Sequence, residues 1–343
     1  MKKYISAVLI VFSAAIIFAA KPRVPDWLSV PSSVYPMETY FNGVGSGETR
    51  EVAELDAVRN LSAIFGQAVK SKTTASKKME QAISQGKVVV SSNGNLQQNI
   101  TSQVDVENII GVDIAEYFYN KSEKKWYAIA VLHKEKAAEI YKSLIKKNDE
   151  SVRLAQIEAQ KDLKSFYGYS EVNFALEIAK ENDRLLKNLS VINFDMAEAL
   201  NKEIVSSQNL QILQKRIADN ITIYLNISGD KNNKTKSAFQ NIFSKYGFKT
   251  TQDKNVRYSM SGKYSSEINK KGNVFYCIYT LDLDFIDSAD SKSLFAINLK
   301  GREGSTSEQD AINRTYRVLE NNIATEFSKN FDSYINNLSF KSE

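Results

Sequence analysis

The chain is poor in the residues on which most site chemistry rests. Among 343 residues there is one histidine, His133, and one cysteine, Cys277. One histidine leaves a multi-histidine zinc set without ligands, and its place at a strand end before Lys134 reads as a surface or capping role, not the base of a Ser-His-Asp or Cys-His arrangement. One cysteine excludes an intramolecular disulfide. Within the apolar stretch Val274 to Ile278, Cys277 reads as a buried, inert thiol. Proline is confined to Pro22, Pro25, Pro31 and Pro36, so nothing after Pro36 is broken by a fixed φ. Charge of one sign is also missing. The formal net charge is +5, falling to +3 without residues 1–20, which carry Lys2 and Lys3, and the lysines are spread among acids. That balance gives no nucleic-acid footprint.

Long apolar runs are absent apart from Ile5 to Phe18, which follows Lys2 and Lys3 and ends at Ala19-Ala20. It is shorter than the roughly 20 residues of a membrane span and has the layout of a secretory signal, with cleavage expected after Ala19 or Ala20. Retention as an anchor is the alternative, because the position three before the cut is large, Phe18 for a cut after Ala20 and Ile17 for a cut after Ala19. No cysteine stands directly after the run, so a lipidated amino terminus is not expected.

What the chain does have is concentrated between Tyr40 and Ala68. Phe41 and Val44 sit among Gly43, Gly45 and Gly47, and Ala53, Ala57, Leu61, Ile64, Phe65 and Ala68 then recur at helical spacing. The pattern predicts a strand, a glycine-rich turn and a helix. A phosphate cradle is disfavoured: Glu48 stands where a dinucleotide fingerprint needs its third glycine, and Gly47-Glu48-Thr49 lacks the lysine of a phosphate loop.

The order Pro25-Asp26-Trp27, Tyr35-Pro36, Gly43-Val44-Gly45-Ser46-Gly47, a helix with alanines and leucine at four-residue spacing, and Trp126 to Leu132 resembles the Lpp-twenty family. That family comprises small bacterial outer-membrane lipoproteins and related flagellum-associated envelope proteins. The resemblance spans about residues 25–136 and implies an envelope location, a small α+β domain and no catalytic residues. The missing lipidation cysteine departs from the family's namesakes.

Further along, the basic run Lys70 to Lys78 reads as a solvated edge strand, with contact to an anionic envelope polymer as the alternative. Strands are expected at Lys87–Ser91, Ile100–Val106, Ile109–Tyr119 and Lys125–Leu132, the last two joined by the loop Asn120 to Lys124, in a meander beside one helix. From Lys134 to about Asn220 helices are expected, with Leu154, Ile157 and Leu163 among their apolar positions and turns at Phe166–Ser170 and Asn193–Asp195. The last third returns to strands at Ile221–Ile227, Arg257–Ser265, Asn273–Phe285 and Ser293–Lys300, a helix from Lys234 to Tyr246, and a closing helix from Ser307 to Leu338. Glu308 to Ile312, after a glycine-bearing turn at Gly301 to Gly304, echoes Glu54 to Val58. In element order this part is similar to the amino-terminal domain of the TolB translocation protein.

Two carboxylates attract notice in LDLDFIDSAD: Asp282 and Asp284 share a strand face, with Asp287 and Asp290 beyond. A calcium loop would need a central glycine and a closing glutamate that are missing, and paired acids without a cleft are a weak hydrolase signal. The tyrosines and phenylalanines read mainly as core, with a sugar-stacking platform as the alternative.

The expected fold is α+β, two small mixed domains joined by an α-helical hairpin or small bundle: residues 1–20 signal, 21–38 extended lead-in, 39–136 first domain, 137–219 helices, 220–343 second domain with a long C-terminal helix. The expected function is that of an exported, non-enzymatic envelope protein contacting envelope or motility-apparatus proteins. Alternatives are a periplasmic module for cell-wall glycan or a small ligand, and a carboxylate hydrolase using Asp282 or Asp284. No catalytic, cofactor-binding or metal residue is assigned, no nucleic acid is expected, and membrane contact is expected only through an uncleaved signal.

Overall fold

The computed structural model describes residues 24–86 and 109–339, with side chains omitted for 73–86. It is an α+β chain whose contacts divide into two compact units, residues 1–137 and 138–343. The strands expected at Lys87–Ser91 and Ile100–Val106 lie outside the described residues, as does the amino-terminal run.

In the first unit, the lead-in is not simply extended. It forms two single-turn helices, α1 (Asp26–Ser29) and α2 (Pro31–Val34). Pro31 occupies the first turn of α2, where its missing N–H costs nothing and its φ suits a helix. Strand β1 (Tyr40–Gly47) follows, then α3 (Arg50–Gly86), β2 (Val112–Asn120) and β3 (Lys125–His133). The sheet order is β1-β3-β2, all antiparallel, so β3 is central and the sheet is not a meander.

Gly43, Gly45 and Gly47 belong to β1 itself and form no turn. All three face α3, and a Cβ built on Gly45 would lie 2.0 Å from the Ala57 nitrogen. The glycines therefore serve close approach between strand and helix backbones. Across from them Ala53, Ala57, Leu61 and Phe65 are fully buried, four residues apart, so one stripe of α3 seats on the strand. Thr49 starts the helix by accepting the Val52 N–H at its Oγ1 (3.3 Å).

The basic run Lys70 to Lys78, expected as an edge strand, lies inside α3. Lysine and alanine are good helix formers, and once a helix is anchored by its first turns, each added residue contributes a hydrogen bond at low cost.

Helix α4 (Lys134–Ala159) follows β3 directly. Its buried stripe in the second unit uses Tyr141, Ile145, Val152, Ala155 and Ala159, whereas the expected core residues Leu154 and Ile157 are each 57% exposed. Helices α5 (Phe166–Ile192), α6 (Phe194–Glu203) and α7 (Ser207–Asn220) come next. Phe166 to Ser170, expected as a turn, is the first turn of α5: the Ser165 hydroxyl accepts the Gly168 N–H at 3.0 Å and nucleates it.

A five-stranded sheet completes this unit in the order β5-β4-β6-β7-β8. Its members are β4 (Thr222–Ser228), β5 (Lys249–Thr251), β6 (Tyr258–Lys271), β7 (Val274–Asp287) and β8 (Lys292–Ser305). β4 runs parallel to β5 and β6, and the other pairs are antiparallel. Gly301 to Gly304 lies within β8, not in a turn.

Helices α8 (Lys234–Lys245), α9 (Glu308–Asn322) and α10 (Ser328–Leu338) pack on this sheet, a π-turn at Ile323–Phe327 joining the last two. One apolar core unites Ala155, Val172 and Leu210 of the helical stretch with Ile223, Phe285 and Phe331. The expected connecting segment, residues 137–219, is thus no separate body: α5 packs against α6, α7 and α10, and the apolar stripes of these helices share one core with the sheet. Fully burying a side chain such as Phe285 or Phe331 stabilises by about 2–3 kcal/mol.

Candidate functional site

The first sheet has two dissimilar faces. One carries Tyr127, Ile129 and Val131, which pack with Trp27, Leu28 and Tyr35 from the lead-in. A bulge between Ile114 and Glu116 turns the Glu116 carboxylate toward this cluster. It accepts from Trp27 Nε1 at 3.0 Å and from the Tyr35 hydroxyl at 2.9 Å. Burial, and then the hydrogen bond to Glu116, push the Tyr35 phenol up to about 12.

The other face is covered by α3, mainly over β1 and β3 and only marginally over β2. Along β2 the side chains alternate, so Tyr117 and Tyr119 emerge on the α3 side at the margin of the helix, 51% and 38% exposed. Tyr119 stands directly opposite Trp126 in the ladder, with ring centroids 5.1 Å apart, and Tyr117 lies 6.0 Å from the same ring. Arg50, in the first turn of α3, sets its guanidinium 3.7 Å from the Tyr117 ring centre. Its Nε also donates to Glu54 at 2.6 Å, which holds the group in place.

The result is an open aromatic surface with one cation. It contains no nucleophile paired with a base; what it offers is flat apolar area, two hydroxyls, an indole and a guanidinium. Alternation in Tyr117-Phe118-Tyr119 was the available sequence signal, since it separates the two tyrosines from Phe118.

The residues singled out for chemistry do not converge. The His133 Nδ1 accepts the Lys136 N–H at 3.4 Å at the start of α4, and its ring meets Tyr40 edge-on. Cys277 is fully buried in β7. Asp282 and Asp284 lie on the exposed face of β7, opposite Lys263 and Ser261, while Asp287 binds Arg257 and Asp290 accepts the Lys292 N–H. Among the described residues no group of three or more His, Cys, Asp or Glu side chains is placed to hold a metal ion. Among the described residues no helix is long and apolar enough to cross a membrane.

Residues 25–133, which include this whole surface, match the family model for the LPP20 lipoprotein. No curated protein matches the chain. Among solved structures, a minor lipoprotein from Acinetobacter baumannii aligns at 11% identity and a TM-score of 0.25, covering 32% of this chain and 87% of its own. A secreted protein from Helicobacter pylori aligns at 12% identity and a TM-score of 0.39, covering 82% of this chain and 96% of its own. Superpositions this loose carry no argument about function.

Proposed function

We propose that this chain is an exported, non-enzymatic cell-envelope protein that works through protein–protein contacts, in assembly of the envelope or of a flagellar apparatus. The observation that carries this reading is the exposed Tyr117, Tyr119, Trp126 and Arg50 surface, within the segment that matches an envelope lipoprotein family. Tyrosine, tryptophan and arginine are the residues that dominate binding energy at protein interfaces. Lys2, Lys3 and the apolar run to Phe18 support export, and the lack of a cysteine directly after that run supports a periplasmic or outer-membrane-associated protein without a lipid of its own.

The test is a photo-crosslinking amino acid at position 119 in living cells. A discrete adduct that disappears when Trp126 is changed to Ala supports the reading; its absence at 119 while control positions on α4 crosslink overturns it. The ring spacing also favours a second reading, stacking of a cell-wall saccharide. Adsorption to purified peptidoglycan, lost in Tyr119→Ala, would replace the protein partner with a glycan.

A further inference from the structure

The outer face of the second sheet changes character along its length. Near the β6 and β7 ends that carry Asp282 and Asp284 it is polar, with Lys263, Ser261 and Asn298 alongside. At the other end, the β6–β7 hairpin turns at Gly272 and Asn273, where Gly272 has φ +60° and open space around it. Here Val274, Tyr276 and Ile278 of β7 form a half-exposed apolar ridge on the central of three strands.

Cations flank that ridge on both sides. Lys271 is paired with Val274 from β6, and Arg302 and Lys300 are paired with Ile278 and Thr280 from β8. All three are exposed. Arg302 lies 4.7 Å from the Tyr276 ring centre, so its charge is held over the ridge. Glu267, opposite Ile278, is the acid on this end of the face. On the reverse face Cys277 and Tyr279 are buried, Asn322 of α9 donates to the Tyr279 hydroxyl at 3.3 Å, and nearer the turn Phe275 is half-buried with Lys270 over its ring.

We infer that this hairpin end docks on an anionic lipid surface. An apolar ridge with a tyrosine, bordered by three basic side chains and ending in a projecting two-residue turn, matches the layering of a bilayer boundary. The ridge meets the headgroup–acyl region while Lys271, Lys300 and Arg302 meet phosphates. This contact involves neither the first sheet nor the amino-terminal run.

The test uses the full chain with Asn273→Cys carrying a polarity-sensitive fluorophore, the native Cys277 being buried and unreactive. Vesicles of phosphatidylcholine containing phosphatidylglycerol are expected to shift the emission to the blue, and salt to reverse the shift. Vesicles of phosphatidylcholine alone should leave it unchanged. Each basic residue near an anionic bilayer contributes roughly fivefold in affinity, so K271E/R302E should weaken binding by at least tenfold. Lys263→Glu, at the polar end of the same face, should not. The proposal is overturned by no shift, by an equal shift on neutral vesicles, by a shift that K271E/R302E retains or K263E abolishes, or by a shift seen only with soluble polyphosphate.

Discussion

Gly45 of β1 and Ala57 of α3 touch backbone to backbone: the space a Cβ on Gly45 would fill lies 2.0 Å from the Ala57 nitrogen and 2.5 Å from the Ala53 carbonyl oxygen. Neither neighbour is a side chain able to swing away. Gly45→Ala is therefore expected to push helix and strand apart and cost about 3 kcal/mol, at the upper end for overpacking. Urea unfolding followed by circular dichroism measures it. A loss under about 0.5 kcal/mol would show that the approach is looser than described.

The two tryptophans report on the two faces of the first sheet. Trp27 is 1% exposed, whereas Trp126 lies half-buried on the open surface. Acrylamide should quench Trp27→Phe strongly and Trp126→Phe weakly. The reverse order would place the open face on the wrong side of the sheet.

Glu116 ties the lead-in to the bulge of β2 through Trp27 and Tyr35. Glu116→Ala should cost about 1–2 kcal/mol, because the buried indole N–H loses its acceptor. The raised Tyr35 phenol means its neutral form is preferred in the folded state. Its contribution is thus full below the ordinary tyrosine value and is lost as pH rises through about 12. In an alkaline titration read by phenolate absorbance, Glu116→Gln should bring one tyrosine to lower pH.

In the second unit, Arg257 bridges Asp287 at 2.9 Å and Asp162, joining the end of β7 to the approach to α5. Burial alone would raise the Asp162 carboxyl, but hydrogen bonds from Arg257 and the Lys164 N–H bring it below the usual range. Its stabilisation is therefore present above the ordinary aspartate value and is lost as pH falls through the folded one. Arg257→Met should cost about 1–2 kcal/mol, a modest figure because the side chains on Arg257 and Asp162 are over a third exposed. Asp162→Asn should flatten the acid limb of the stability profile measured by thermal melting.

Much of the element order could be read in the residues. The four-residue spacing of Ala53, Ala57 and Leu61 marks α3, and alternation marks β4 and β7. Three readings changed for one reason. A Gly-x-Gly-x-Gly run satisfies either a turn or a strand pressed against a helix, and only the position of α3 distinguishes them. Lys70 to Lys78 carries no apolar periodicity of its own, so its state follows from the helix already running into it. The polar ends of β6 and β8 lack alternation because their outer sides meet water; their pairing with β7 is what makes them strands.

The candidate surface was less legible. Tyr117, Tyr119 and Trp126 have the composition of a core, and their exposure follows from how far α3 extends across the sheet. Asp282 and Asp284 were correctly placed on one face, yet Asp287 and Asp290 turned to separate partners, which disperses the cluster.

Local chemistry in the sequence by itself determined most of the helices and strands, and that Cys277 makes no disulfide within the chain. Those properties depend on spacing, side-chain type and backbone freedom, all of which travel with the residues. Tertiary structure alone decided which aromatic side chains are covered, which carboxylates find arginine, and that the helices after β3 share a core with the second sheet. Burial and ion pairing depend on what arrives from elsewhere in the chain, and no local pattern encodes the arrival.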